Sequence, residues 1–279
     1  MFKLKRWIYG QPLLSGYRAT RSRALAAQQQ PHPLGFRFAG TANFFRVDWE
    51  PEQRRIVDRE LEQAEIFIDV GANQGIYSCI AAAKGRTVVA VEPEPGNLEF
   101  LLANIAANDF AVEVFPIAAS DGPSRAIIFG DSETASLVSS WFGTSRSFAQ
   151  TIATNSLDNL FAERWPGKTK LIKIDVEGFE GPALRGAARL IDSSPAPVWL
   201  IETSPRMLGE GDRPNPGFEE IFERMLGAGY RATRIDSGAV VDAAAVSEMV
   251  AQNSAGLGYF LFEKANGVTS TAPKRIKRQ

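Results

Sequence analysis

Ile66-Phe67-Ile68-Asp69-Val70-Gly71-Ala72-Asn73-Gln74-Gly75 passes, within ten residues, from an unbroken apolar run into a bend with two glycines. The run has the length and β-branched content of a buried strand, and Ile76 to Lys84, closed by Gly85, continues with the period of a helix. The pattern then repeats. Thr87 to Val91 reads as a second strand and Asn97 to Asn108 as a helix with Leu98, Leu101, Leu102 and Ile105 on one side. Val112 to Ala119 reads as a third strand. Strands alternating with helices of this length predict parallel βαβ units, hence an α/β fold with a doubly wound sheet.

The rhythm breaks between Asp121 and Gln150. Ser124 to Phe129 reads as an extra strand, followed by a stretch containing Ser132, Thr134, Ser136, Ser139, Ser140, Thr144, Ser145 and Ser147. Such an excursion is either a plain surface loop or one that grips a substrate. The alternation resumes with strand Leu171 to Asp175, a helix opened by Pro182 and running to Ile191, and strand Val198 to Glu202. Helix Phe218 to Leu226 follows, then strands Tyr230 to Ile235 and Leu257 to Phe262, which suggest a C-terminal antiparallel hairpin with a short helix, Ala243 to Gln252, in its connection. Toward the N-terminus, Glu52 to Gln63 reads as an amphipathic helix on Ile56, Val57 and Leu61, and Phe36 to Trp49 as a short strand or hairpin. These boundaries give one domain over residues 36–264, a basic arm over 1–35 and a basic tail over 265–279.

The 279 residues are 44% apolar, enough for a sizeable core and too many for a disordered chain. The arm carries Lys3, Lys5, Arg6, Arg18, Arg21 and Arg23 without an acid, and the tail Lys274, Arg275, Lys277 and Arg278 without one. Since the whole chain has a formal charge of -1, the part between is acidic. An acidic body lacks the clustered cations that nucleic acid requires, whereas the basic ends suit weak contact with an anionic membrane face. The single cysteine, Cys79, excludes an internal disulfide. No apolar run reaches the ~18 residues of a membrane span, and the first residues lack a signal peptide's apolar core. A cytoplasmic location is expected.

Two constellations carry chemistry. In the first, Gly71 and Gly75 let backbone approach a ligand, and the following helix aims its positive end into the crevice. Glu92, ending the next strand, is placed to accept hydrogen bonds from both hydroxyls of a ribose. A dinucleotide fingerprint needs a third glycine beneath the pyrophosphate, and this bend instead holds Asp69 and Asn73. An acid and a carbonyl suit the ammonium and sulfonium of S-adenosyl-L-methionine better than two phosphates. The second constellation is Lys173-Ile174-Asp175-Val176-Glu177-Gly178-Phe179-Glu180. Acids at the carboxyl end of a buried strand are costly to desolvate unless a cation or proton donor meets them. Glu177 and Glu180 also suit the positive end of the next helix. Asp175, Glu177 and Glu202 together offer oxygen ligands to a hard divalent ion. His32, the single histidine, lies between two prolines in the arm, which disfavours a Ser-His-Asp hydrolase.

These motifs, with Glu92-Pro93, Asn104-Ile105 and Asn108, Ala118-Ala119-Ser120-Asp121-Gly122 and Ser156-Leu157-Asp158, make the chain resemble the FkbM-type methyltransferases over roughly Phe36 to Glu263. The resemblance implies a class I methyltransferase fold and O-methylation of a hydroxyl on a sugar, glycan or polyketide-like acceptor. It implies that Asp69, Gly71, Asn73, Gly75 and Glu92 bind S-adenosyl-L-methionine, with Ser120 and Asp121 near its adenine. Asp175 or Glu177 is then the residue that orients the acceptor hydroxyl or takes its proton; no residue is assigned to a metal, and metal dependence stays open. Two alternatives stay open: an NAD-dependent oxidoreductase on the same architecture, and a non-catalytic scaffold that binds a nucleoside. The acceptor and the oligomeric state are not written in the sequence.

Overall fold

A computed structural model describes residues 24–25, 28–46, 48–130, 135–138, 149–207, 213–252 and 257–264. Most of the expected basic arm, the whole basic tail, and Ser132, Thr134, Ser139, Ser140, Thr144, Ser145 and Ser147 lie outside these residues.

Eight strands form the central sheet: β1 (Ile66–Val70), β2 (Thr87–Val91), β3 (Val112–Phe115), β4 (Lys170–Ile174), β5 (Val198–Thr203), β6 (Tyr230–Arg234), β7 (Val240–Val241) and β8 (Gly258–Lys264). Their spatial order is β7-β6-β8-β5-β4-β1-β2-β3. β1 to β5 are mutually parallel, and β8 lies antiparallel between β5 and β6. The expected antiparallel pairing of the last strands is present, and the connection holds both β7 and a helix, Ala243–Ala251.

The chain winds one way from β1 through β2 to β3 and the other way from β4 to β5. The order therefore reverses between β1 and β4, and an open α/β sheet leaves a crevice beyond the carboxyl ends of its strands at that point. Gly71 and Asp175 stand there. The Asp175 N–H donates to the Val70 carbonyl (2.9 Å), and that of Gly71 to the Val91 carbonyl (2.9 Å). Gly71 has φ +81°, and a Cβ there would lie 1.7 Å from the Asp175 carbonyl oxygen, so only glycine lets the two strand ends meet.

Strand alternation sends successive residues to opposite layers. Ile66, Ile68, Val70, Ile172, Ile174 and Ile201 face one core with Phe218, Ile221 and Phe222 of the helix Pro216–Gly227. Phe67, Leu171, Leu200 and Leu261 face the other, against α1 (Pro51–Glu60) and α2 (Ile76–Ala83). Asp69 and Lys173 belong to this second face and are register partners across the β1/β4 ladder.

Three expectations are corrected. The run Val112 to Ala119 is not one strand: after Phe115 comes Pro116, which cannot donate to a ladder, and Ala118–Ala119 joins a separate three-stranded sheet. That sheet contains the expected strand Ser124–Phe129 and also Ala149–Asn155, whose polar, largely exposed residues gave no strand signal. The helix expected from Pro182 to Ile191 is two, Glu180–Arg185 and Ala188–Ile191. The break sits at Gly186, where a Cβ would lie 2.0 Å from the Ser120 carbonyl oxygen. The Asp158 carboxylate accepts the Arg189 and Leu190 N–H groups and so restarts the helix. Residues 28–35, expected in a loose arm, pack down: His32 is buried, stacks on Phe36 at 4.8 Å and has Nε2 2.9 Å from the Phe44 carbonyl. Burial lowers its pKa, and it does not line the cavity described below.

Among the described residues, no helix is long and apolar enough to cross a membrane. Gly186→Ala is expected to destabilise the protein by at least ~1–3 kcal/mol through overpacking. Gly227→Ala, with nothing within 4 Å of the added carbon, is expected to be neutral or to stabilise by up to ~1 kcal/mol. Urea unfolding of both variants checks the contrast.

Candidate functional site

A cavity of about 290 Å³ opens at the switch point. One part of its wall comes from the bend after β1 and the end of β2: Gly71, Ala72, Asn73, Glu92, Pro93 and Asn97. Glu92 is buried, and its two oxygens accept the N–H groups of Asn73 (2.7 Å) and Glu94 (2.8 Å). Burial pushes its pKa up to about 7 despite those bonds. Asn73 holds a left-handed backbone (φ 53°), and its side-chain oxygen accepts the Gln74 N–H. Ala118 and Ala119 add the neighbouring surface, and Ile128, Ala135 and Leu137 bring the excursion after β3 to the cavity.

Beneath the cavity, one pleat face carries polar residues on four adjacent strands, of which Lys173, Asp175 and Glu202 reach the lining. Asp69, Lys173 and Asp175 share that face of β1 and β4, and Glu202 of β5 is the register partner of Tyr259 in β8. Lys173 Nζ donates to Asp175 Oδ2 (2.7 Å), and Tyr259 Oη donates to the same oxygen (2.8 Å). The ammonium sits 4.8 Å from the Tyr77 ring centroid and 5.7 Å from that of Tyr259. Tyr77 Oη in turn donates to Glu50 Oε2 (2.6 Å).

The electrostatics follow from crowding acids around one buried cation. Burial alone would lower Lys173, yet Asp175, Asp69 and Glu50 hold it above its ordinary value. Burial alone would raise Asp175, yet Lys173 and the hydrogen bonds from Glu202, Lys173 and Tyr259 hold it below the usual carboxylate range. Glu202 is pushed well above that range by burial and by Asp175 beside it, and so keeps its proton. Glu50 is raised by burial, against the pull of Lys173.

Of the residues assigned from sequence, Gly71, Asn73, Glu92, Asp175 and Glu177 are brought together on the cavity wall. Asp69, Gly75, Ser120 and Asp121 are not on it. Asp69 is buried, accepts the Ser78 hydroxyl (2.7 Å) and lies across the ladder from Lys173. Gly75 (φ +89°) packs on Leu101, which a Cβ would meet at 2.4 Å. Ser120 donates from its backbone to Asn155, and exposed Asp121 lies 3.9 Å from Arg185. Glu180 holds the loop after β4, accepting the Gly178 (2.9 Å) and Val176 (3.3 Å) N–H groups. Within that loop Glu177 has φ 53°, and its carbonyl accepts the Ser136 hydroxyl (2.6 Å). Asp175, Glu177 and Glu202 each offer an oxygen within 4.8 Å of the others, so the three are close enough to share a cation.

Sequence reading gave no role to Glu50, Tyr77, Lys173 or Tyr259. Lys173 alone carried a signal, a lysine two residues before an acid in an otherwise apolar strand, which puts both on one face.

The Methyltransferase FkbM domain matches residues 69–232, more than half of the chain, and the chain belongs to that family. Hexuronic acid methyltransferase AglP of Haloferax volcanii is 30% identical over 146 residues, covering 52% of this chain and 59% of that relative. The chain thus spans less than two thirds of that relative's length. Among solved structures, a precorrin-6y C5,15-methyltransferase from Geobacter metallireducens aligns with 84% of this chain and all of its own, at 12% identity and a TM-score of 0.42. A TehB-like methyltransferase from Corynebacterium glutamicum aligns with 91% of this chain and all of its own, at 12% identity and a TM-score of 0.41. The fold is of the class I methyltransferase type, as the strand order and the family membership together indicate.

Replacing Lys173 by methionine leaves Asp175, Asp69 and Glu50 without their cation, which is expected to cost ~3–5 kcal/mol. Lys173 holds Asp175 low, so its contribution is present above the unfolded carboxylate pKa and is lost as pH falls. The loss on substitution is therefore larger at about pH 6 than at about pH 3 in urea melts; equal losses would contradict the pairing.

Proposed function

We propose that the chain is an S-adenosyl-L-methionine-dependent methyltransferase acting on a hydroxyl oxygen of a sugar or glycan. The observation that carries this reading is the composition of the cavity. Among the described residues, acidic side chains from Glu50, Glu92, Asp175 and Glu177 line it, with Glu202 holding its proton beside Asp175, against one lysine already committed to Asp175. Such an excess of acid fits a cofactor bearing both an ammonium and a sulfonium, and it does not fit a pyrophosphate. The family match supports the same cofactor and gives no support to a nicotinamide one. The relative's name, a hexuronic acid methyltransferase, supports a sugar acceptor.

In this reading Glu92 holds the ribose hydroxyls, each carboxylate oxygen keeping a lone pair beyond its backbone N–H bond. Gly71 and Asn73 form the adjoining wall. When bound, the cofactor supplies an electrophilic methyl group on a cationic sulfur. The protein's own task is then to present one oxygen in line with that carbon, and positioning of this kind supplies up to ~7–11 kcal/mol of the barrier. Asp175 already receives hydrogen bonds from Lys173, Tyr259 and Glu202, so it is a weak proton acceptor and suits orienting the hydroxyl. Glu177, half-buried at the cavity edge, is assigned to the acceptor proton.

Titration calorimetry with S-adenosylhomocysteine tests the cofactor. Ribose hydroxyls favour ionised Glu92, so affinity is expected to rise with pH up to about 7 and then level off. Glu92→Gln is expected to remove that dependence and weaken binding by about 10-fold or more. Glu177→Gln is expected to bind S-adenosylhomocysteine as the parent does while turning over ~10²–10⁴-fold more slowly. Binding of NAD with no affinity for S-adenosylhomocysteine sinks the proposal.

A further inference from the structure

Resting on that methyltransferase reading, we infer that the acceptor is a pyranose without an acid group, received by Trp49 and Glu50 from the segment ahead of the family-matched region. Both residues line the cavity, and both precede residue 69, where the family match begins.

Three observations carry this. First, the segment is fastened to the domain. Asn104 Nδ2 donates to the Ala39 carbonyl (2.9 Å) while its Oδ1 accepts the Ala39 N–H (2.8 Å), and Asn108 pairs in the same way with both backbone groups of Arg37. Gln74 Oε1, from the bend after β1, accepts the Thr41 N–H (2.8 Å). The chain then turns through the short helix Ala42–Phe45 and reaches the cavity at Trp49 and Glu50.

Second, the end of that segment is shaped for a ring with one polar edge. Trp49 is half-buried, edge-on to Phe44 (centroids 4.8 Å apart) and tilted to Tyr77 (5.9 Å). A pyranose presents a face of C–H groups, slightly positive, that packs on the negative face of an aromatic ring. Beside it Glu50 keeps a left-handed backbone (φ 43°, ψ 53°), a conformation that side chains rarely adopt and that surrounding structure must impose. Tyr77 fixes one oxygen of its carboxylate, so Glu50 is held as an acceptor for a sugar hydroxyl or ammonium.

Third, the charges select against an acidic sugar. Lys173 is the one cation lining the cavity among the described residues, and it is 2% exposed. Its Nζ bonds Asp175, and Asp69 and Glu50 draw on the same charge. Arg54, one turn along α1, attracts Glu50 without lining the cavity. An acceptor carboxylate would meet Glu50, Asp175 and Glu177 with no uncommitted cation among the described residues that line the cavity to offset the repulsion.

The test uses the full chain, tritiated S-adenosyl-L-methionine, and p-nitrophenyl glycosides of neutral hexoses, 2-amino-2-deoxyhexoses and hexuronic acids. Neutral or amino glycosides are expected to show kcat/KM at least about 10-fold above the hexuronides. Trp49→Ala, or Trp49→Phe should the first not fold, is expected to raise KM for the glycoside with little change in S-adenosylhomocysteine affinity. Glu50→Gln is expected to narrow the gap between neutral and acidic glycosides, which a merely structural role would not do. Equal or greater use of the hexuronides, or no methylation of any glycoside by protein that binds S-adenosylhomocysteine, overturns this inference and leaves the cofactor reading standing. Failure to bind S-adenosylhomocysteine overturns the reading beneath it.

Discussion

One buried ammonium governs the site. Lys173 is carried on the central strand pair of the sheet, opposite Asp69, and its Nζ reaches Asp175 at the strand end. Isolated, either charge would be prohibitively expensive in that interior; together, with the rings of Tyr77 and Tyr259 around the cation, they are tolerable. The arrangement leaves the site short of positive charge by construction. Glu50 and Asp69 draw on the same lysine, which is already paired with Asp175. A ligand that brings its own positive charge relieves this shortage, and one that brings negative charge deepens it.

Much of the fold could be read from short local patterns. The strand–bend–helix at Ile66 to Lys84, the acid ending β2 and the acidic loop after β4 are each contained within about twenty residues, so periodicity and glycine placement expose them. Three features escaped because their cause lies elsewhere in the chain. Gly186 breaks a helix because Ser120 presses on it, sixty-six residues away in sequence. Ala149–Asn155 is a strand because Ser124–Phe129 and Ala118–Ala119 pair with it, despite its polar composition. Tyr259 reaches Asp175 only because β8 is inserted beside β5, a topological fact with no local trace.

The same distinction sorts the site residues. Motif reading placed Asp69, Gly75, Ser120 and Asp121 in the ligand's company, and none of the four lines the cavity. Asp69 faces Lys173, Gly75 lets α2 lie close on Leu101, and Ser120 and Asp121 follow the chain away after Pro116. Asn104 and Asn108, part of the same family pattern, bind the backbone of Arg37 to Ala39. A shared motif residue can therefore shape the cavity at second hand, by securing the piece of chain that lines it.

The inserted strand β8 has one more consequence. Its neighbours β5 and β6 precede it in the chain, and although β5 already pairs with β4 and β6 with β7, the edges that β8 joins stay unpaired until Gly258–Lys264 has been made. On the ribosome, a nascent chain that has already formed β1 to β4 must hold β5 with one edge open and Asp175 without the Tyr259 hydroxyl. The cavity floor is thus completed late in translation, when the last strand slots home, and a prematurely terminated product would carry a bare sheet edge of the kind that chaperones and proteases recognise.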